Sequence, residues 1–170
     1  RPHNETFASW LLMGDLKGFT VLSNTLPVDE LAKKVDDWLL HCKQVVEAHD
    51  GRMNKFLGDA FLAYWRDRDN VAQKVTATLR ALEQFQREGP LPFRLVAHHG
   101  TIMAGATGAL HEEGLHGKEV VFVTRMEKLA GTIGKDVLLS EPAAHRLAPL
   151  RPTAWVGEHG LKGFDQAFAF

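Results

Sequence analysis

The chain has 170 residues, a formal net charge of −1 and 45% hydrophobic residues, which suits one domain with a sizeable core and implies no broad basic face for nucleic acid. A single cysteine, Cys42, excludes a disulfide within the chain, and no apolar run is long enough to span a membrane. No signal peptide is read at the abrupt start, Arg1-Pro2-His3, and the expectation is a single domain, 1–170, cut from a longer protein.

In chain order, Phe7 to Asp15 is mostly apolar and reads as a central strand. Phe19 to Ser23 opens a short helix, and Pro27 marks the start of a long one. Leu31, Val35, Trp38, Leu39, Cys42, Val45 and Val46 recur at helical spacing as far as about Ala48. Arg52 to Trp65 reads as a hairpin. Val71, Val75, Leu79, Leu82 and Phe85 stripe a second long helix, which Gly89-Pro90 stops. Phe93 to His98 and Thr101 to Ala104 read as two strands around Gly100, and Ala106 to Gly117 as a loop. A helix over Lys118 to Ala130, a strand over Asp136 to Ser140 and a short helix over Glu141 to Leu147 follow. Thr153 to Val156 and Gly163 to Phe170 read as terminal strands.

Two stretches carry chemistry. The hairpin turn Gly58-Asp59 holds a carboxylate at the start of the second strand, with Lys55 close by on the first. Leu11 to Thr20 is an apolar strand that ends in Asp15 and enters a glycine turn leading to a helix. Backbone N–H groups in that setting bind phosphate, and a neighbouring Asp suits Mg²⁺. Taken alone, Asp59 is equally readable as a solvated residue of a surface hairpin. The order strand, helix, hairpin, helix, strand predicts an α+β fold with a ferredoxin-like split βαβ core and a C-terminal extension. In that topology the first and third strands are antiparallel neighbours, so Asp15 and Asp59 lie side by side. Paired carboxylates repel unless a cation lies between them, and beside a phosphate-accepting turn the pair reads as a two-metal phosphoryl-transfer arrangement.

At these residues the sequence resembles the class III nucleotidyl cyclases, the adenylate and guanylate cyclase catalytic domain. The segments that carry the likeness are Gly14-Asp15-Leu16-Lys17-Gly18-Phe19-Thr20, Lys55-Phe56-Leu57-Gly58-Asp59-Ala60, His99-Gly100 with Ala104-Gly105, Arg125-Met126-Glu127-Lys128-Leu129-Ala130, and Gly160-Leu161-Lys162-Gly163. Any one is weak alone; five in the family's order span nearly the whole chain. The resemblance implies that Asp15 and Asp59 bind two Mg²⁺ or Mn²⁺ ions, with the Leu16 carbonyl as a further ligand. It implies that the amides of Gly18, Phe19 and Thr20 hold the β- and γ-phosphates and that Lys55 reads the base, a lysine being usual in adenylate cyclases where guanylate cyclases have Glu. Arg125 matches the arginine that stabilises the transition state, and Lys162 a lysine that binds the triphosphate. A nucleoside triphosphate substrate, ATP above all, is implied, as is a homodimer with two symmetric sites. In it the metal aspartates and Lys55 come from one chain and Arg125 and Lys162 partly or wholly from the other. A cytoplasmic location is expected, with no nucleic-acid partner and no direct membrane contact by this domain, although the parent protein is open to membrane anchorage.

Two positions depart from the family. Val121 stands where an Asn is usual, one helical turn before Arg125 and facing the reacting ribose. Gly114 stands where many adenylate cyclases have an Asp that pairs with the adenine amino group; Glu112, Glu113 or a loop carbonyl are the substitutes on offer. These departures keep two alternatives open: a degenerate cyclase-fold module that binds nucleotide or a partner with little turnover, and a cyclase for another base. Elsewhere the plainer readings hold. His98 and His99 alternate faces of a strand and read as packing residues, not a metal site. His111 and His116 read as solvated loop residues, and Trp38 and Trp65 as core or interface aromatics.

Overall fold

The central strand β1, Glu5–Leu16, buries Trp10, Leu11, Leu12 and Met13 in succession, as a strand covered on both faces must. In the computed structural model, which describes residues 4–107 and 112–170, this strand lies between two others. On one side runs β3, Ala60–Arg66, with Asp15 opposite Ala60. On the other runs β4, Phe93–Thr107, with Asp15 opposite Arg94. The edge strand β2, Arg52–Phe56, pairs with β3 as the expected hairpin. All these pairings are antiparallel, and the adjacency of the first and third strands is as the split βαβ reading requires.

Helices α1 (Phe19–Thr25), α2 (Val28–Ala48) and α3 (Val71–Glu88) follow the expected pattern. Val35, Trp38, Cys42 and Val46 form the buried stripe of α2, and Val71, Val75, Leu79 and Leu82 that of α3. They pack on the sheet face that carries Trp10, Leu12, Phe61 and Trp65. Trp38 and Trp65 are therefore core residues, 1% and 3% exposed. Cys42 lies wholly inside this core, and burial pushes its thiol well above the usual thiol range. The opposite face, with Leu11, Met13 and Leu62, is covered by α4, Lys118–Ile133, and by the C-terminal residues Leu161 and Phe170. Strand β6, Val137–Leu139, runs parallel to β4, and α5, Glu141–Leu147, starts at Ser140, whose hydroxyl accepts from the Ala143 N–H.

Three expectations need correction. The two strands expected around Gly100 are one continuous strand, β4. Gly100 is no turn: a Cβ there would lie 2.5 Å from the Glu119 carboxylate, so the glycine permits a close approach of α4. The loop expected over 106–117 contains a strand, β5, Glu112–His116, whose Gly114 lies opposite Gly105 of β4. One glycine and two glutamates among its five residues hide the strand pattern there. At the C-terminus the strands are β7, Glu158–Gly160, and β8, Ala167–Ala169, not 153–156 and 163–170. Gly157 and Gly163 at φ 127° and 89° interrupt the extended runs, while Val156 still donates to the Phe170 carbonyl at 3.0 Å.

His98 and His99 do face opposite ways. His98, 2% exposed, bonds Ser140 Oγ at 2.6 Å through Nδ1 and Glu119 through Nε2, and stacks on Phe122. The His98 pairing holds the Glu119 carboxyl below the usual range. His99 Nε2 meets Asp67 Oδ2 at 2.7 Å, and its ring sits edge-on to Trp10. Among the described residues, no helix is long and apolar enough to cross a membrane.

Packing is tight at Gly14, one residue before Asp15, where an added Cβ would lie 2.5 Å from the ring of the fully buried Phe61. Gly14→Ala should therefore cost about 1–3 kcal/mol by overpacking. Thermal denaturation should show a fall of several degrees in Tm, at roughly 2–4 °C per kcal/mol for a chain of this size.

Candidate active site

Asp15 is the half-buried next-to-last residue of β1, and the turn after β2 delivers Asp59 to the same place. Gly58 adopts φ 68°, a left-handed conformation that favours glycine, and lets the chain reverse. Leu57 and Ala60 close the turn with N–H···O bonds of 2.8 and 3.3 Å. The Leu16 N–H donates to the Asp59 carbonyl at 2.9 Å, so the backbone itself ties the two aspartates together.

The electrostatics of this corner are unfavourable as it stands. The Asp15 oxygen Oδ1 is shut off from solvent and has no hydrogen-bond partner. Its pKa is raised from an ordinary 3.8 to about 8. Burial is the largest cause, the hydrogen bond and charge of Glu127 come next, and Asp59 adds to them, while Arg94 opposes them. Glu127 is the residue that reading the sequence missed. It belongs to the Arg125-Met126-Glu127 segment, where the sequence shows only its nearness to Arg125 along the chain. In the fold it turns to Asp15 instead. The available signal was its place four residues after the buried Val123, on the flank of the apolar stripe of α4.

The turn after Asp15 carries Gly18 at φ 64°, capping α1, and the first amides of that helix, Phe19 and Thr20 among them, lack intrahelical acceptors. Lys17 is committed to Asp136 at 2.6 Å. Lys55, Gly114 and His116 line one groove of about 610 Å³, together with Asn54 and Phe56. His116 thus sits on a strand facing this groove, whereas His111 lies outside the described residues. Glu113 cannot stand in for the missing carboxylate at position 114. Its own carboxylate accepts from the Tyr64 hydroxyl at 2.6 Å and from Arg52 at 3.3 Å.

Val121, 49% exposed, and the half-buried Arg125 lie one turn apart on α4, as the spacing predicts. Lys162 is exposed between β7 and β8. Among the described residues, Lys55, Arg125 and Lys162 take no carboxylate partner, and no hydrogen bond or ion pair joins Arg125 or Lys162 to the aspartates. The structure thus brings together Asp15 with Asp59, and Lys55 with Gly114, while among the described residues no hydrogen bond or ion pair ties Arg125 or Lys162 to the aspartates.

The chain is 25% identical over 152 residues to an adenylate cyclase of Anabaena cylindrica, a match covering 81% of this chain and 30% of that protein. The chain spans less than half the length of the other curated relatives it matches, two adenylate cyclases of Rhizobium meliloti (strain 1021). Among solved structures, the adenylyl cyclase CyaB from P. aeruginosa superposes with a TM-score of 0.83 at 20% identity over 98% of this chain and 93% of that one. The guanylyl cyclase Cya2 superposes with a TM-score of 0.76 at 19% identity, over 97% and 90% of the two chains. No family model matches the chain.

The raised pKa of Asp15 has a direction that can be tested. The folded state holds this proton more tightly than the unfolded chain. The stability it contributes is therefore complete below about pH 4 and is lost as the pH climbs through about 8. In metal-free buffer, Asp15→Asn should flatten that part of the decline in Tm. Added Mn²⁺ should raise the Tm of the wild type at pH 8 and leave Asp15→Asn unmoved, as read by thermal melts across pH.

Proposed function

We propose, for a chain that belongs to the class III nucleotidyl cyclase catalytic domains, that it converts ATP to cyclic AMP and pyrophosphate at a site completed by a second copy of itself. The observation that carries this reading is the convergence of Asp15 and Asp59 with an orphaned, water-excluded oxygen on Asp15. Buried like charges with an unsatisfied acceptor suit a divalent cation, and a hard oxygen donor set suits Mg²⁺ or Mn²⁺. Asp15, Asp59 and the Leu16 carbonyl would hold the ions. When bound, they supply acidity to the ribose 3′-hydroxyl and positive charge to the departing pyrophosphate.

The chain's own residues do the rest. Asp15 and Asp59 would hold the ions at the strand ends, beside the turn that receives the phosphates. The first amides of α1, at Gly18, Phe19 and Thr20, receive phosphate oxygens. Lys55 donates to the base edge in the groove beside Gly114. Arg125 and Lys162, both without a carboxylate partner among the described residues, neutralise charge that develops on the α-phosphate and the leaving group. The 3′-oxygen attacks the α-phosphorus, the bond to the pyrophosphate oxygen breaks, and no side chain acts as nucleophile. Exposed apolar side chains at Phe56, Leu57 and Val121 around these residues support a face covered by a second copy. A cytoplasmic setting fits the substrate. Incubating the purified protein with each nucleoside triphosphate and Mn²⁺ or Mg²⁺, with products identified by mass, tests the reading. Cyclic AMP from ATP is the expected product, and absence of any cyclic nucleotide would refute catalysis.

A second reading, a nucleotide-binding module with little turnover, draws on Val121, which cannot hydrogen-bond the ribose. The two readings separate by substitution. Asp15→Asn or Asp59→Asn should abolish turnover without unfolding the protein. Asp59→Ala and Arg125→Ala should each be inactive alone but recover activity on mixing, because one wild-type site forms per heterodimer.

Val121→Asn should raise kcat by roughly tenfold or more, a modest part of the 10²–10³ that one preorganised polar contact supplies. KM should change little, since binding rests on the metal and triphosphate contacts. Steady-state kinetics of both proteins under saturating Mn²⁺ decides it; an unchanged or lower kcat would mean that another residue already fills the role.

A further inference from the structure

Strands β2 and β5 stand at the two ends of the strand path β2-β3-β1-β4-β5, so no ladder joins them. Yet three polar contacts reach across to one residue of β5. The Tyr64 hydroxyl donates to Glu113 Oε1 at 2.6 Å, Arg52 donates to Oε2 at 3.3 Å, and Asn54 Nδ2 donates to the Glu113 carbonyl at 3.1 Å. The last contact depends on an irregularity. The β2–β3 register slips between Met53 and Lys55, which leaves Asn54 without a partner on β3 and re-aims its side chain. The next residue of β2 is Lys55 and the next residue of β5 is Gly114, and both line the groove between the two strands.

We infer that Glu113, gripped by Tyr64 and Asn54, is a positioning residue that sets the width of the base groove and thereby its choice of purine. The inference rests on the base-reading role proposed for Lys55. The contacts are unequal. Tyr64 is 7% exposed within the core, so its hydroxyl is a fixed point, and an O–H···O⁻ bond of 2.6 Å is charge-assisted. Arg52 is exposed, and its longer contact is worth little. Strand β5 does not need this latch in order to exist, because the ladder to β4 runs from Met103 opposite His116 to Thr107 opposite Glu112. What the latch adds is the placement of the free edge of β5 against β2. Position 114 has no side chain to contact the base, so selectivity here depends on where the backbone of Gly114 and the ammonium of Lys55 stand relative to one another. A polar site discriminates by leaving the wrong ligand's groups unpaired, and that holds only while the gap is fixed.

The test is equilibrium binding of 3′-deoxy-ATP and 3′-deoxy-GTP with Mn²⁺, measured by calorimetry. Neither nucleotide can cyclise, since the attacking hydroxyl is missing. Wild type should prefer 3′-deoxy-ATP. Tyr64→Phe and Glu113→Ala should each cut that preference about tenfold, while Glu113→Gln, whose amide oxygen still accepts from Tyr64, should keep most of it. Affinity for Mn²⁺-tripolyphosphate should stay unchanged throughout, which a general loss of structure would not allow. A preference within twofold of wild type in both Tyr64→Phe and Glu113→Ala overturns the inference, as does an equal loss of tripolyphosphate affinity. Wild type that shows no preference overturns it together with the base-reading role of Lys55. Wild type that discriminates in binding yet makes no cyclic nucleotide sinks only the catalytic reading.

Discussion

Asp15 stands near the end of β1 beside two further carboxylates, Glu127 and Asp59, and its own solvent-excluded oxygen Oδ1 has no partner. Repulsion of this kind raises the free energy of the folded chain, so the surrounding structure has to hold the groups in place. It does so from three directions. Strand β1 is paired along its length on both sides, with Ala60 and Arg94 facing Asp15. The turn at Gly58 is closed by two backbone bonds, and Leu16 is bonded to the Asp59 carbonyl. Helix α4 buries Phe122, Val123, Met126 and Ala130 against the sheet, which fixes Glu127 over the strand end. A group destabilised by burial and like charge, and held there by a rigid frame, is the pattern of a functional site, since a structural role alone would be better filled by an apolar residue.

The same division of labour runs through the two faces of the sheet. One face carries the large apolar core under α2 and α3. The other carries α4, β5 and the C-terminal residues, and most of the proposed site lies on these later elements and on the two strand ends beneath them. His98 and His99 lie one on each face of β4. His98 couples β4 to α4 and α5 through Glu119 and Ser140, while His99 couples β4 through Asp67 to the end of β3. They are joints between layers, and Asp67 spends both its oxygens there, on Trp10 and His99.

Much of this was legible from residues alone. The apolar stripes gave the helices because each has a single buried face, and the Gly58-Asp59 turn gave the hairpin because few other residues reverse a chain so tightly. Strand order then placed Asp15 beside Asp59 with no further information. What stayed hidden shares one cause: it depends on contacts across the fold that leave no local periodicity. Gly100 looked like a turn because the glycine serves Glu119, which lies nineteen residues on. Strand β5 looked like a loop because Glu112, Glu113 and Gly114 carry no apolar alternation, and what makes it a strand is its ladder to β4. Glu127 looked like a neighbour of Arg125 because sequence shows adjacency along a helix and not what the helix packs against.

That Arg125 ignores both Glu127 and the aspartates has a consequence for the proposed chemistry. An arginine bonded to Asp15 within one chain would neutralise the corner and remove the reason for it to take a divalent cation. It would also arrive already spent, its charge satisfied before a phosphate came near. Here only Arg94 offsets the charge around Asp15, and among the described residues no ion pair joins Arg125 or Lys162 to a carboxylate of the same chain. Under the proposed reading each set meets its complement only when a second copy and a metal-nucleotide arrive together. Neither half then relaxes in the separate chain, and the electrostatic stabilisation stays available for the transition state. Val121 fits the same logic from the opposite side. It occupies the exposed face of α4 one turn before Arg125 with a group that can gain nothing from a ribose, so this chain keeps the charges of its site and gives up one of the contacts that align the substrate between them.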